Sequence, residues 1–594
     1  MALRPVSGTR IGYQNRTAKS KLRVDQPAVV GGVGITGPAE RFPQLWMLRS
    51  APIMIAHDIG GCIETETRIF KSHPSSHHLQ DQFAFRSSSN VEIGSSFLGA
   101  SSMAPLEVTH FINGEFVPSS DGKTFDLFSP YSGDLVAQVS EATTEDVDKA
   151  VAAAKAAFPA WSALSPQQRG RPLAKLAQLI TDADAELAKA DALALGRPVS
   201  SYFDGYYAAT HFRYFSEAAF PVGTSSLNTP GFLNMSLRQP YGVCAAIIPW
   251  NAPLVFHSKK LAPALAAGNT VVLKTSEKAP LSPHRVNQML NEAGFPPGVV
   301  NVIHGHGAVS GNAISHHMDI RALSFTGSVP TGRLIQKAAA DSNFKHLIFE
   351  LGGKSPAIVF DDADLERAAR ETQHSIMWHS GQTCMANSRI YVQKGIAEKF
   401  IDTFNSLAGA RKLGDPTLKE TDSGPQADKT QFDTVRRYIE EGKKTGKLVE
   451  PGTKLPETNA DNFVAPVVFL QQPEDSKVMK EEIFGPVVCI NTFETEEEAL
   501  RIANDTEYGL YAAVYTNDID RAMRCAKALE AGMVGVNCTS PSGAWDMPFG
   551  GYKQSGVGRE SLLMSMDDWL EHKAVYIRVG GADKSAVGNL TLGR

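Results

Sequence analysis

The run Val243-Cys-Ala-Ala-Ile-Ile248, with Pro249-Trp-Asn251 after it and Thr270-Val-Val-Leu-Lys274 beyond, decides the class of fold. Both apolar runs are too short for helices, so they read as strands buried on both faces. The pattern repeats toward the C-terminus. Val299–Ile303, Ala322–Phe325 and Leu347–Glu350 are further strand candidates, with amphipathic segments such as Ser282–Ala293 and Thr331–Ala340 between them. Strands alternating with helices imply an α/β fold: a parallel sheet covered on both faces, as in a Rossmann-like nucleotide-binding domain. A second α/β region is expected from about Gly353 to Gly556, and Lys573–Val579 reads as a late strand.

Toward the N-terminus, Asn113-Gly114 between His110-Phe-Ile112 and Glu115-Phe-Val117 predicts a hairpin. Thr143 and Asp146 have capping-box spacing, and Val147, Val151, Ala154 and Phe158 then share one helical face. A longer helical stretch is expected from about Arg171 to Leu195. The first 102 residues differ in character. They hold 11 Lys/Arg against 7 Asp/Glu, net +4, where the remainder carries −9. They lack a sustained hydrophobic period and read as a disordered extension that catalysis does not need. Their acid-poor beginning leaves a mitochondrial transit peptide open. Met103-Ala-Pro leaves open a natural start further on.

The 594-residue chain has a net charge of −5, with 42% hydrophobic and 20% charged residues. That balance suits a chain with a large buried core and argues against nucleic acid or an anionic membrane as partner. No apolar run approaches the roughly 20 residues of a bilayer-spanning helix. The six cysteines show no CxxC pair, which favours free thiols, a reducing compartment such as the cytoplasm, and no metal site.

Three polar positions interrupt this pattern. Cys384, in Gly381-Gln-Thr-Cys384, is either a small core residue or a nucleophile presented by a tight turn of non-core residues, whose amides would lower the thiol pKa. Glu350 ends an apolar strand before Leu351-Gly-Gly353 and is either a salt-bridge partner of Lys354 or a general base in apolar surroundings. Asn251 follows a strand, and its amide either donates to a developing oxyanion or closes a local turn. Two glycine loops follow strands. Gly305-His-Gly307-Ala-Val-Ser-Gly311 is one residue off the dinucleotide fingerprint, whereas Gly327-Ser-Val-Pro-Thr-Gly332 opens a helix that could receive a phosphate.

Taken together, Pro249-Trp-Asn251, Lys274-x-x-Glu277, Phe325-Thr-Gly-Ser328, Glu350-Leu-Gly-Gly353, Gly381-Gln-Thr-Cys384, Glu482-Ile-Phe-Gly-Pro486 and Pro548-Phe-Gly-Gly551 resemble the aldehyde dehydrogenase superfamily in order and spacing. The likeness spans roughly residues 103 to 580. It implies oxidation of a small-molecule aldehyde with NAD, with NADP less favoured. Cys384 would be the nucleophile, the Asn251 amide and the Cys384 backbone N–H the oxyanion hole, and Glu350 the base that hydrolyses a thioester. Ile248, Pro249, Trp250, Lys274, Glu277, Gly327, Ser328, Gly332, Glu482 and Phe484 would bind the cofactor, and Phe549 would line the substrate channel. The implied division is an extension over 1–102, an NAD-binding domain over 103–352, a catalytic domain over 353–569, and a small bridging β element from 222–240 with 570–594. That element would join copies into a homodimer or homotetramer. Thr383, Met385, Lys259 and Cys538 depart from common family residues near the expected tunnel and leave the particular aldehyde open. The rival readings are a CoA-acylating relative, which Glu350 argues against, and a non-catalytic protein that kept the fold.

Overall fold

The structure, a computed structural model, describes residues 105–217, 222–458, 461–541, 543–544 and 546–579. The expected disorder of 1–102, the alternative start at Met103 and the tail beyond 579 lie outside the described residues.

The first large sheet has the strand order Gly556–Val557, His346–Glu350, Ala322–Thr326, Val243–Ile247, Thr270–Lys274, Val300–Ile303, His110–Ile112, Glu115–Val117. The five central strands are parallel. Numbered along the chain they run 3-2-1-4-5 across the sheet, the doubly wound arrangement in which the winding reverses beside the first strand. Every residue of Val243–Ile247 is buried. Cys244 and Ala246 face a core with Leu261, Leu265 and Phe212, while Val243, Ala245 and Ile247 face another with Val147, Val151 and Ala154. Burial on both faces is why this strand lacks polar alternation.

The N-terminal hairpin pairs Ile112 with Glu115. Its turn places Asn113 at φ 54 and Gly114 at φ 82, the left-handed pair that matches strand twist. The helix Thr144–Ala163 carries the expected capping box, with Thr143 and Asp146 each accepting from the other's backbone N–H. The stretch read as one helix from Arg171 to Leu195 is two helices, Pro166–Asp182 and Asp184–Leu195. The chain breaks at Ala183 (φ −100, ψ 8), so that Ile180 and Leu187 both reach one core.

The second large sheet has the order Lys447–Val449, Val467–Leu470, Val487–Phe493, Arg389–Gln393, Pro356–Val359, Tyr511–Tyr515, Met533–Val536, parallel apart from its first strand. The pair Gly556–Val557 returns to the first sheet and lies antiparallel to Phe349 and Glu350. A division of the chain at 352/353 does not show this return. A small antiparallel sheet joins Phe232–Pro240 to Leu570–Arg578 over nine paired residues, with Ser225–Ser226 on the far side. The late strand read as Lys573–Val579 therefore begins three residues earlier. Another small sheet has Leu135–Ser140 between Leu106–Val108 and Thr124–Phe128.

Candidate active site

Because the five central strands are parallel, their carboxyl ends share one edge of the sheet. Ile248, Pro249, Trp250 and Asn251 follow one strand, Lys274 to Glu277 a second, Gly327 and Ser328 a third, and Glu350 ends a fourth. The topological switch falls between Val243–Ile247 and Ala322–Thr326, where doubly wound sheets bind nucleotides. Ser328 caps the helix Val329–Asp341 by accepting from the Thr331 N–H, and this exposed helix start opens at the switch. Gly332 is buried, and a Cβ there would stand 3.0 Å from Leu351, so its lack of a side chain packs the helix against the strand end. The Gly305–Gly311 loop follows Val300–Ile303, two strands from the switch, and winds directly into the short helix Asn312–His316.

Lys274 is buried, and its Nζ donates to the Thr275 carbonyl at 2.9 Å. Burial lowers its pKa, and the Glu277 carboxylate opposes that shift. Glu277 is half-buried and accepts from the Ser276 hydroxyl at 3.3 Å. Across the crevice, Glu482 accepts from the Gly353 N–H at 2.8 Å, and burial pushes its carboxyl up to about 7. A Cβ on Gly352 would lie 2.2 Å from a Glu482 carboxylate oxygen, which explains the glycine. Phe484 has φ 60, and its ring meets Trp250 edge-on at 5.3 Å.

Cys384 sits on a loop with an unusual backbone. After the helix Leu365–Met377, His379 (φ 47), Ser380 (φ 54) and Gly381 (φ 75) are left-handed in succession. A side chain on Gly381 would run into the Gly485 backbone, about 2.1 Å away. Non-glycine residues in this region cost of order 1 kcal/mol each and persist only where the surroundings over-determine them. Here they do. Ser380 donates to the Gly424 carbonyl, Gln382 accepts from the Ala427 N–H, and Gln426 donates back to the Ser380 carbonyl. Ser380, Gln382 and Thr383 are all buried, which corrects the expectation that this turn consists of non-core residues. The expectation of a lowered thiol pKa is corrected too. Burial first, then the Glu482 and Glu350 carboxylates, push the Cys384 thiol up to about 12, with Lys259 opposing.

The Asn251 side-chain amide donates to the Gln382 carbonyl at 3.0 Å, which fixes it two residues from the thiol. Both Asn251 and Cys384 open on a cavity of about 580 Å³. Thr383, Met385, Lys259, Cys538 and Phe549 line the same cavity, so all four departures noted in the sequence reach its wall. Glu350 does not line this cavity; it is buried, and its charge acts on Cys384. Among the described residues it forms no ion pair with Lys354: both carboxylate oxygens and the Lys354 Nζ lack hydrogen-bond partners there. A Cβ on Gly550 would come within 3.0 Å of Glu350 Oε1. Burial first, then the neighbouring Glu560, push Glu350 up to about 8.

Several wall residues carry no motif. Glu560 lines the cavity and holds Lys260 at 2.8 Å. Phe203 stacks on Trp378 at 5.5 Å and meets Tyr207, four residues on, edge-on at 6.2 Å; all three line the cavity, and this spacing of aromatics is the signal the sequence carried.

The profile described as "Aldehyde dehydrogenase family" matches residues 116–575. The chain belongs to this family of oxidoreductases, which act on aldehydes with NAD(P). It is 45% identical over 474 residues to an aldehyde dehydrogenase of Alternaria alternata, covering 79% of this chain and 95% of that one. It is also 45% identical over 476 residues to one of Aspergillus niger, covering 80% and 95%. Among solved structures it is similar to an NAD⁺ complex of an aldehyde dehydrogenase from Bacillus cereus. That match has 40% identity and a TM-score of 0.77, and it covers 80% of this chain and 97% of the other.

Proposed function

We propose that this chain oxidises an aldehyde to a carboxylic acid through a thioester on Cys384, with Glu350 as the hydrolytic base and NAD as the preferred oxidant. The observation that carries the reading is that Cys384 and Asn251 line one cavity while the Glu350 carboxylate, whose charge acts on Cys384, is buried with no hydrogen-bond partner among the described residues.

Direct loss of hydride from an aldehyde carbon would leave an acylium-like cation. Attack by the Cys384 sulfur avoids this: the S–C bond forms and the carbonyl π pair moves to oxygen. The Asn251 amide and the Cys384 backbone N–H are the donors assigned to that oxyanion. Burial raises the Cys384 thiol pKa, so the thiol gives up its proton before attack; the ionised Glu350 carboxylate accepts it and passes it to solvent before the hydrolytic step. When bound, the nicotinamide supplies the acceptor for the hydrogen and electron pair that leave the tetrahedral carbon. Glu350, in its ionised form, then takes a proton from water as the water oxygen attacks the thioester. The C–S bond breaks, the acid departs and the thiolate is restored.

The residues at the crevice fit a dinucleotide. Lys274 and Glu277 follow the second strand of the doubly wound order, where a ribose is bound in such folds. The start of the helix Val329–Asp341 suits the pyrophosphate, and Glu482 with Phe484 suits the nicotinamide half. A carboxylate at Glu277 accepts from a 2′-hydroxyl and repels a 2′-phosphate, which supports the NAD preference. The outer edge of Leu570–Arg578 has no partner among the described residues, which supports sheet extension between copies into a homodimer or homotetramer.

The test is Glu350→Gln with a simple aldehyde. Gln keeps the shape but cannot take the proton, so NADH should appear in one burst. Mass spectrometry should then find an acyl group on Cys384, with steady turnover lowered about 10²–10⁴-fold. Normal turnover with no adduct would exclude the role of Glu350, and stoichiometric acyl-CoA with added CoA would favour the CoA-acylating reading.

A further inference from the structure

Lys259 and Lys260 are adjacent, buried and differently satisfied. Lys260 donates to Ser324 and to Glu560, each at 2.8 Å. Lys259 has no carboxylate at ion-pair distance among the described residues. Its ammonium lies 3.2 Å from the centroid of the Phe549 ring, 5.5 Å from Phe256 and 5.9 Å from Tyr207. All four residues line the cavity that holds Cys384.

An unpaired cation removed from water is expensive, and aromatic faces recover only part of the cost. The carboxylates that act on it through space are Glu560 and Glu350. Glu560 is engaged by Lys260, and burial holds Glu350 toward its neutral form. Met385, Met533, Val534 and Val255, on the same wall, offer it no anion. Lys259 faces the cavity of about 580 Å³ with no ion-pair partner among the described residues, burial lowers its pKa, and a carboxylate brought into the cavity would supply that partner.

We propose that Lys259 is a specificity-determining residue, and that the preferred substrates are aldehydes bearing a carboxylate distal to the carbonyl. The proposal rests on Cys384 being the site of aldehyde attack. The carboxylate completes the ion pair that the fold leaves open, and the aromatic faces hold the ammonium in the channel while the aldehyde end reaches the thiol.

The experiment compares kcat/KM for 4-oxobutanoate against butanal, and for 4-formylbenzoate against benzaldehyde, in the wild type, Lys259→Met and Lys259→Arg. The anion-to-neutral ratio should fall about tenfold or more in Lys259→Met, and Lys259→Arg should recover most of it. Melting temperatures establish that the variants are folded. In the wild type, pentanoate should compete with butanal about tenfold more tightly than neutral pentanamide, a readout that needs no variant. An unchanged ratio in folded Lys259→Met, or equal inhibition by the acid and the amide, overturns the proposal while leaving Cys384 as nucleophile. A wild type that oxidises neither class overturns the site reading and this proposal with it.

Discussion

The nucleotide crevice and the aldehyde cavity are built in opposite ways. At the crevice, each residue on the sheet side follows its own strand within a few positions, and parallel winding brings the strand ends together: Trp250 after Ile247, Glu277 after Lys274, Ser328 after Thr326. The cavity wall is gathered from Phe203 through Ser561, and its central loop holds three successive left-handed residues against Gly424, Ala427 and Gly485. The crevice therefore needs short motifs on a regular scaffold. The cavity needs long-range packing to hold a strained turn, and in return it acquires an environment that shifts the charge states of its residues. Burial acts on Cys384, Glu350 and Lys259 together there.

The most severe way to break the comparison is to remove the nucleophile. Cys384→Ala should abolish dehydrogenase activity while binding of NAD, followed by calorimetry, survives, because the crevice does not depend on the thiol. Retention of more than about 1% of wild-type kcat would remove Cys384 from its role.

The next effect is on stability. The folded pKa of Glu350 is raised from 4.5 to about 8, so the folded chain favours the protonated carboxyl and the unfolded chain the carboxylate. The contribution of Glu350 to stability is therefore whole below its unfolded value and is lost as pH rises through the folded one. Glu350→Gln cannot ionise, so its melting temperature should overtake the wild type progressively between about pH 5 and pH 8. The gain should be on the order of 1–3 kcal/mol. A difference independent of pH would show that Glu350 is ionised and paired in the folded chain, and the charge environment of the cavity would need redrawing.

The smallest effect belongs to the crevice. Glu277→Gln removes the repulsion toward a 2′-phosphate without disturbing the sheet, and the NAD-over-NADP ratio of kcat/KM should shrink about three- to tenfold. Equal use of the two cofactors by the wild type would remove the basis for that selectivity.

How much of this was legible in the chain follows from the same contrast. Strand–helix alternation, the Asn113-Gly114 hairpin and the Thr143 capping box depend on local propensity and on a period of two or 3.6 residues, and they lie where the sequence places them. Glu350, Asn251 and Cys384 were readable as polar interruptions in apolar or glycine-rich settings. The state of those groups was not. Ser380 and Gln382 look like surface residues in sequence, yet the backbone groups that bury and satisfy them come from residues 424–427, more than forty positions away. Whether Glu350 pairs with Lys354 could not be settled by their separation of four, because the strand ends between them and their side chains go to different environments. Lys259 and Lys260 are the same residue type in consecutive positions of one helix. Sequence determined that two cations would be there. Only the tertiary structure decided that one meets Glu560 and the other faces the Cys384 cavity, because adjacent helical residues point about 100° apart and what each one meets is set by segments hundreds of residues away.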